Sequence, residues 1–247
     1  MRHTIRQDFA TSVRPILFDT GIDEFQYATH GGSAFVVGYK GRPYAITCRH
    51  VFKDFDERQL TIFGAAFPVK GDKPARIKTF CYSTSPRASA VDTDVTDFCV
   101  IEFEEAVMTD FFNGSAYPLD EQTICSSVAG DRLMIFGAVK EKTVIDPPNI
   151  HVGFCRLEAS DTGPSADPFI RRGTAQYVNL GFSSPAGISG APTFNLTRNG
   201  LCGMVLRATL QNGRFNFMYV DAFDLFRFVE GVSLHSPNIF YTKQPSM

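Results

Sequence analysis

Apolar positions along the chain fall in short runs, several alternating with polar ones, and turn residues separate them. "SAFVVGYKGRPYAITC" reads as a β-hairpin, with strands around 34–38 and 44–48 and a turn on Lys40, Gly41, Arg42 and Pro43. "QLTIFGAAFPV", "ARIKTFCYS" and "DFCVIEFEE" supply further strands rich in β-branched and aromatic residues. "STSPRASAVDTDVT" is polar and aperiodic and is expected to be a surface loop. The pattern pauses at about 111–123, in "DFFNGSAYPLDEQT". It restarts with "RLMIFGAV", "NIHVGFCRLEA", "TAQYVNLGF", "APTFNLT", "GLCGMVLRA" and "FNFMYVDA". Two sets of about six strands, divided by one polar stretch, predict an all-β chain of two antiparallel six-stranded β-barrels. One helical pattern closes it: "AFDLFRFVEGV", 222–232, puts Phe223, Leu225, Phe226 and Phe228 on an apolar face, with Gly231 as the stop. The expected organisation is an extension over 1–24, a first barrel over 25–115 and a second barrel with the closing helix over 116–232. A tail follows over 233–247.

The length, 247 residues, gives each of two small barrels enough chain for its own core. Net charge is −2, so no strong field exists to recruit nucleic acid or an anionic membrane, and neither is an expected partner. The first twenty residues carry charges throughout and no apolar run of signal-peptide length. No other segment approaches the roughly 18 apolar residues that span a bilayer. A cytoplasmic location is therefore expected. The six cysteines include no CxxC pair, and Cys48, Cys99 and Cys202 lie inside apolar strand-like runs. They are expected to be buried thiols, neither disulfides nor metal ligands.

Three stretches carry candidate chemistry. "FSSPAGISGAPTFN", 182–195, sets Ser189 among glycines; alone it fits a nucleophile on a rigid turn or a plain small-residue loop. "AITCRHVF", 45–52, ends an apolar strand at His50, which alone could cap a core edge. "VTDFCVIEFE", 95–104, places Asp97 directly before a buried strand, where lone aspartates usually stabilise turns. Asp92 and Asp94 lie close by without directly preceding the strand. Cys202 sits mid-strand, where a thiol is expected to be inert.

Taken together, in the order His, Asp, Ser with a break between barrels after the second, these stretches resemble the chymotrypsin-like (trypsin-like) serine proteases. The resemblance runs from about Gly31 to Val232. "GGSAFVV" looks like the family's first core strand, "YAITCRHVF" its histidine segment and "TDFCVIEF" its aspartate strand. "GISGAP" is similar to its Gly-x-Ser-Gly-Gly-Pro signature, and "GLCGMV" falls at the strand lining the primary specificity pocket. No family segment fits around His30, His151 or His235.

What the resemblance implies is a catalytic set of His50, Asp97 and Ser189, with the backbone N–H groups of Gly187 and Ser189 as the oxyanion hole. A serine hydroxyl needs a base during attack. Histidine can take that proton and return it to the leaving amine. The carboxylate orients the ring and stabilises the imidazolium. Preorganised donors stabilise the oxyanion. By position, Ser183 is expected at the floor of the specificity pocket and Leu206, Arg207 and Ala208 on its wall. Phe217 would narrow it toward small or modest apolar residues. The 206–208 edge could take substrate as an added antiparallel strand. No metal or cofactor is implied.

Two positions depart from the pattern. Ile188 stands where trypsin-like enzymes place the aspartate that pairs with a new amino terminus after zymogen cleavage, so that activation route is closed. Ala191 replaces the second glycine, which is harmless only at negative φ. The expected function is a serine endopeptidase acting on proteins or peptides, gated by a regulatory protein partner or by residues 1–24. The competing reading, which Ile188 and Ala191 favour, is a catalytically silent protease fold used as a peptide-binding or scaffold module.

Overall fold

Lys40 and Gly41 hold φ of 48° and 76°, a two-residue turn whose left-handed backbone matches the twist of the strands it joins. Arg42 and Pro43, expected in the turn, therefore belong to the second strand of the hairpin. The computed structural model describes residues 9–19, 22, 27–28, 31–52, 65–66, 77–82, 97–103, 115–146, 149–167, 169–176, 181–234 and 242–243. The surface loop expected over "STSPRASAVDTDVT" lies outside the described residues, as do Asp92, Asp94, His30 and His235. So does most of "QLTIFGAAFPV".

Where a first six-stranded barrel was expected, the described residues form a seven-stranded sheet that is not closed, six of its strands from the first half and one from the C-terminus. Its strands are β1 (Val13–Pro15), β2 (Ser33–Tyr39), β3 (Arg42–Cys48), β4 (Ile77–Tyr82), β5 (Phe98–Phe103) and β6 (Tyr117–Pro118). The second half is a closed antiparallel barrel of six strands: β7 (Arg132–Ala138), β8 (Phe154–Pro164), β9 (Ile170–Gln176), β10 (Pro192–Asn195), β11 (Gly200–Gln211) and β12 (Arg214–Asp221). The helix α1 (Ala222–Leu234) follows, and β13 (Thr242–Lys243) returns to the first sheet beside β4. Sheet order is β1-β2-β3-β5-β4-β13, with β6 parallel to β2. Around the barrel the order is β7-β8-β9-β12-β11-β10.

Burial follows each strand's place. Along β8 exposed and buried residues alternate without a break, one face to the barrel interior and one to solvent. In β2 and β3 nearly every residue is buried, as continuous apolar runs require. The barrel core gathers Leu133, Ile135, Leu157, Val205, Phe215 and Phe217. A second core runs from β1–β5 through Phe194 and Met204 to the buried face of α1.

Residues 9–19, within the span expected as an extension, belong to this second core. Phe9 is fully buried against Tyr117 and Phe194, and β1 pairs with β2. Deleting 1–24 would strip a core strand. The closing helix also differs from its sequence pattern. It continues through Gly231 because Val232 still packs in the core. Its buried positions are Ala222, Leu225, Val229 and Val232, at three- and four-residue spacing, while Phe223 faces solvent. Phe226 and Phe228 meet the first sheet edge-on, against Tyr39 and Phe98.

All six cysteines are free; five are buried and Cys125 is half-buried. Among the described residues no helix is long and apolar enough to cross a membrane.

Candidate active site

The antiparallel pairing of β3 with β5 sets Cys48 opposite Phe98. Asp97, one residue before β5, therefore meets the turn that follows β3. That turn, Arg49–Phe52, is a single 3-10 turn pinned by the buried side chains of Val51 and Phe52. Arg49 N–H donates to Asp97 O at 3.0 Å, and His50 N–H donates to Asp97 Oδ1 at 2.8 Å. The other carboxylate oxygen, Oδ2, lies 2.6 Å from His50 Nδ1. Asp97 is 7% exposed, so this charged acceptor sits away from bulk water, where such a bond is strong. Ionised Asp97 only accepts, so the ring proton lies on Nδ1 and Nε2 is left as a base. The His50 side chain keeps 33% of its surface open to solvent.

The Ser189 loop reaches the seam from the barrel, and no hydrogen bond joins the Ser189 hydroxyl to His50. Gly190, at φ 87°, lies so close to the first sheet that a Cβ there would sit 1.9 Å from Ser33 O. Only glycine fits. Ser33 N–H donates to Ser189 O at 2.8 Å, and Thr47 Oγ1 donates to Ser33 O at 2.7 Å. Cys48 Sγ and Gly190 N–H both donate to Val205 O, at 3.2 and 2.8 Å. The loop of Ser189 thus rests on the last residues of the strand that leads to His50, in the seam between the halves. Ser189 is half-buried, and its hydroxyl makes no hydrogen bond among the described residues.

The backbone donors of this loop are unevenly used. Ser183 and Ser184 N–H donate to the Glu141 carboxylate, Ala186 N–H to Ser184 Oγ, Ile188 N–H to Pro185 O and Gly190 N–H to Val205 O. Among the described residues, Gly187 and Ser189 N–H have no acceptor. Two free donors flanking one residue, beside a serine hydroxyl, are what an oxyanion requires. Gly187 sits at φ 104°, with Ala138 O and Lys140 N each 2.7 Å from where a Cβ would stand. Its carbonyl accepts from Ser33 Oγ at 2.6 Å, and Ser33 Oγ accepts from Ala138 N–H at 2.8 Å. Ile188 is fully buried in the barrel core. Ala191 is not among the residues at positive φ, and its methyl occupies space left by Gly137.

The expected specificity residues scatter. Leu206 is fully buried in the core shared with the first sheet, and Phe217 is packed inside the barrel with its ring over Gly173. Neither offers side-chain surface to a substrate. Arg207 is exposed and Ala208 half-buried, and beyond Met204 the β11 strand is paired along β12 but not along β10. Ser183 is exposed, and its N–H and hydroxyl both donate to Glu141. Glu141, in the polar turn Lys140–Lys142, carried no sequence signal. Those three hydrogen-bond donors, Ser183 N–H first, hold its carboxyl below the usual range despite some desolvation.

Cys48, His50 and Asp97 form a group whose ligand atoms lie within 4.8 Å of one another. The set fits a metal ion poorly. Burial pushes the Cys48 thiol well above its ordinary range, so it stays protonated and donates to Val205 O. His50 Nδ1 is already committed to Asp97. The same burial keeps the Cys202 thiol neutral, and His151 lies exposed.

No family model matches the chain, and no curated protein matches it. Solved structures do. Human heparin binding protein aligns over 94% of this chain and 95% of its own, with a TM-score of 0.61 and 11% identity. A point mutant of that human protein aligns over the same shares, with a TM-score of 0.59 and 10% identity. A structure concerned with coupled folding and binding of the Sesbania mosaic virus VPg protein aligns over 89% of this chain and 90% of its own. Its TM-score is 0.51 and its identity 15%. The fold of this chain is chymotrypsin-like. At such identities the likeness speaks for the fold alone.

Proposed function

We propose that this chain is a serine endopeptidase in which Ser189 attacks the peptide carbonyl, His50 is the general base and then acid, and Asp97 orients the ring. The observation that carries the reading is the buried carboxylate of Asp97 held by His50 twice, through the backbone N–H at 2.8 Å and through Nδ1 at 2.6 Å. A turn-stabilising aspartate needs only the first contact; the second sets the imidazole's tautomer and leaves Nε2 to take a proton. The free N–H groups of Gly187 and Ser189 would receive the oxyanion. With Leu206 and Phe217 buried, neither side chain takes part in recognition. Six free thiols support a reducing, cytoplasmic setting.

The test is reaction with a serine-directed fluorophosphonate, followed by cleavage of a peptide library. Labelling that disappears in Ser189→Ala, with library cleavage, supports the peptidase. No labelling at any pH or protein concentration sinks it and leaves a silent peptide-binding fold.

A further inference from the structure

In this chain the anion-hole loop cannot be ordered by an amino-terminal ion pair, because Ile188 fills the position that would hold the carboxylate and is fully buried. The loop is held at two ends: Ser33 binds the carbonyls of Gly187 and Ser189, and one exposed side chain gathers the loop's first N–H groups. The Glu141 carboxylate accepts Ser183 N–H at 2.9 Å, Ser184 N–H at 3.2 Å and Ser183 Oγ at 3.1 Å. Fixing Ser184 sets its Oγ to receive Ala186 N–H at 3.2 Å. Ala186 O then accepts Lys140 N–H at 2.9 Å, which closes the circuit one residue from Glu141. Gly187 and Ser189 follow directly.

The turn that carries Glu141 is itself anchored. Val139 N–H donates to Gly153 O at 2.8 Å, and Thr143 Oγ1 donates to Val139 O at 3.0 Å. A Cβ on Gly153 would lie 2.1 Å from Lys142 Cβ, so the turn is seated against that backbone. One carboxylate on a fixed turn thus gathers two consecutive backbone donors of the loop, a charge-assisted arrangement stronger than neutral bonds.

We infer that Glu141 is a positioning residue, which holds the loop 183–189 so that the N–H groups of Gly187 and Ser189 stay free for the oxyanion. The inference rests on the peptidase reading for its effect on rate, but its structural half can be read without activity. The role replaces zymogen-type ordering by a contact built into the folded chain, so the anion hole is formed without proteolytic activation.

The experiment compares the full-length protein with Glu141→Ala and Glu141→Gln in steady-state peptide hydrolysis and in amide hydrogen exchange. Loss of one oxyanion donor costs about 10²–10³ in rate, and Glu141→Ala is expected to lower kcat by about that factor with KM within about twofold of wild type. Glu141→Gln keeps a carbonyl acceptor for the two N–H groups and is expected to recover kcat to within about tenfold. Exchange at Lys140 and Ile188, whose amides Glu141 does not touch, is expected to quicken at least about tenfold in Glu141→Ala, while strand β7 stays protected. Unchanged kcat, or a rise in KM alone, would overturn the role. If the wild type hydrolyses nothing and takes no fluorophosphonate, the peptidase reading fails. The exchange data then decide the positioning separately, and unaltered Lys140 and Ile188 amides would end it.

Discussion

Cys48 Sγ donates to the carbonyl oxygen of Val205 across the seam between the two halves, at 3.2 Å. The strand that leads to His50 is thereby tied to the oxygen that also receives Gly190 N–H. The thiol is fully buried and protonated at neutral pH, its desolvation compounded by the nearby Asp97 charge. Iodoacetamide is therefore expected to leave the native protein active, with Cys48 unmodified by peptide mass analysis. Cys48→Ala is expected to retain hydrolysis while losing about 1 kcal/mol of stability, the usual net worth of a hydrogen bond. Rapid inactivation coincident with Cys48 alkylation would make it the nucleophile instead.

Asp97→Asn isolates the carboxylate's part. An amide can still accept His50 N–H, so the fold is expected to survive, but its NH₂ facing Nδ1 favours the wrong tautomer. A loss of about 10⁴ in kcat is expected, with near-native circular dichroism. A loss below tenfold would show that ring orientation does not depend on Asp97.

The hairpin before His50, the strand after Asp97, the barrel strands and the closing helix were legible because their apolar periods are local properties of the chain. Less local features were hidden. Residues 9–19 read as an extension because β1 has three residues, too few to show a period, and Phe9 packs against Tyr117 and Phe194 from distant parts of the chain. Gly231 read as a stop because nothing local reveals that Val232 will be buried. His50, Asp97 and Ser189 stood out by motif, whereas the burial of Leu206 and Phe217 depends on which face of each strand meets a core. Glu141 lies in a Lys-Glu-Lys turn that reads as plain solvated charge, and its meaning comes from Ser183 and Ser184, far along the chain.

Ala191 and Gly137 are predicted to be coupled. A Cβ on Gly137 would lie 2.8 Å from the Ala191 methyl, within a core with little room to yield. Gly137→Ala alone is expected to cost on the order of 1–3 kcal/mol, as overpacking does. Combined with Ala191→Gly, it should recover a coupling energy of about 1 kcal/mol in a double-mutant cycle of urea unfolding. Strict additivity would mean that the two methyls do not compete for the same space.

Gly187→Ala tests the anion hole from its backbone side. The residue sits at φ 104° with backbone atoms 2.7 Å from the added Cβ, so the loop must shift. Both melting temperature and kcat are expected to fall, kcat by at least about 10², the price of one lost donor. Wild-type kcat in this variant would show that Gly187 N–H takes no part.

Asp221 gives the clearest pH signature. Its carboxyl is raised above its ordinary value, first by burial, while Phe223 N–H and Arg171 pull it partly back. Asp224 is raised likewise, by burial and by the charge of Asp221. A carboxyl raised on folding holds its proton more tightly in the native state. Its favourable contribution is present below the unfolded value and lost as pH rises through the folded one. At neutral pH the protein therefore carries the cost of a half-buried charge. Asp221→Asn removes that charge yet can still accept Phe223 N–H, the 2.8 Å contact that caps α1. Thermal melts should show the variant more stable than wild type at pH 7 and level with it near pH 3, where the native carboxyl is already protonated. A gain of equal size at both pH values would point to packing as its source, and a loss at pH 7 would mean that the charge itself stabilises the helix start.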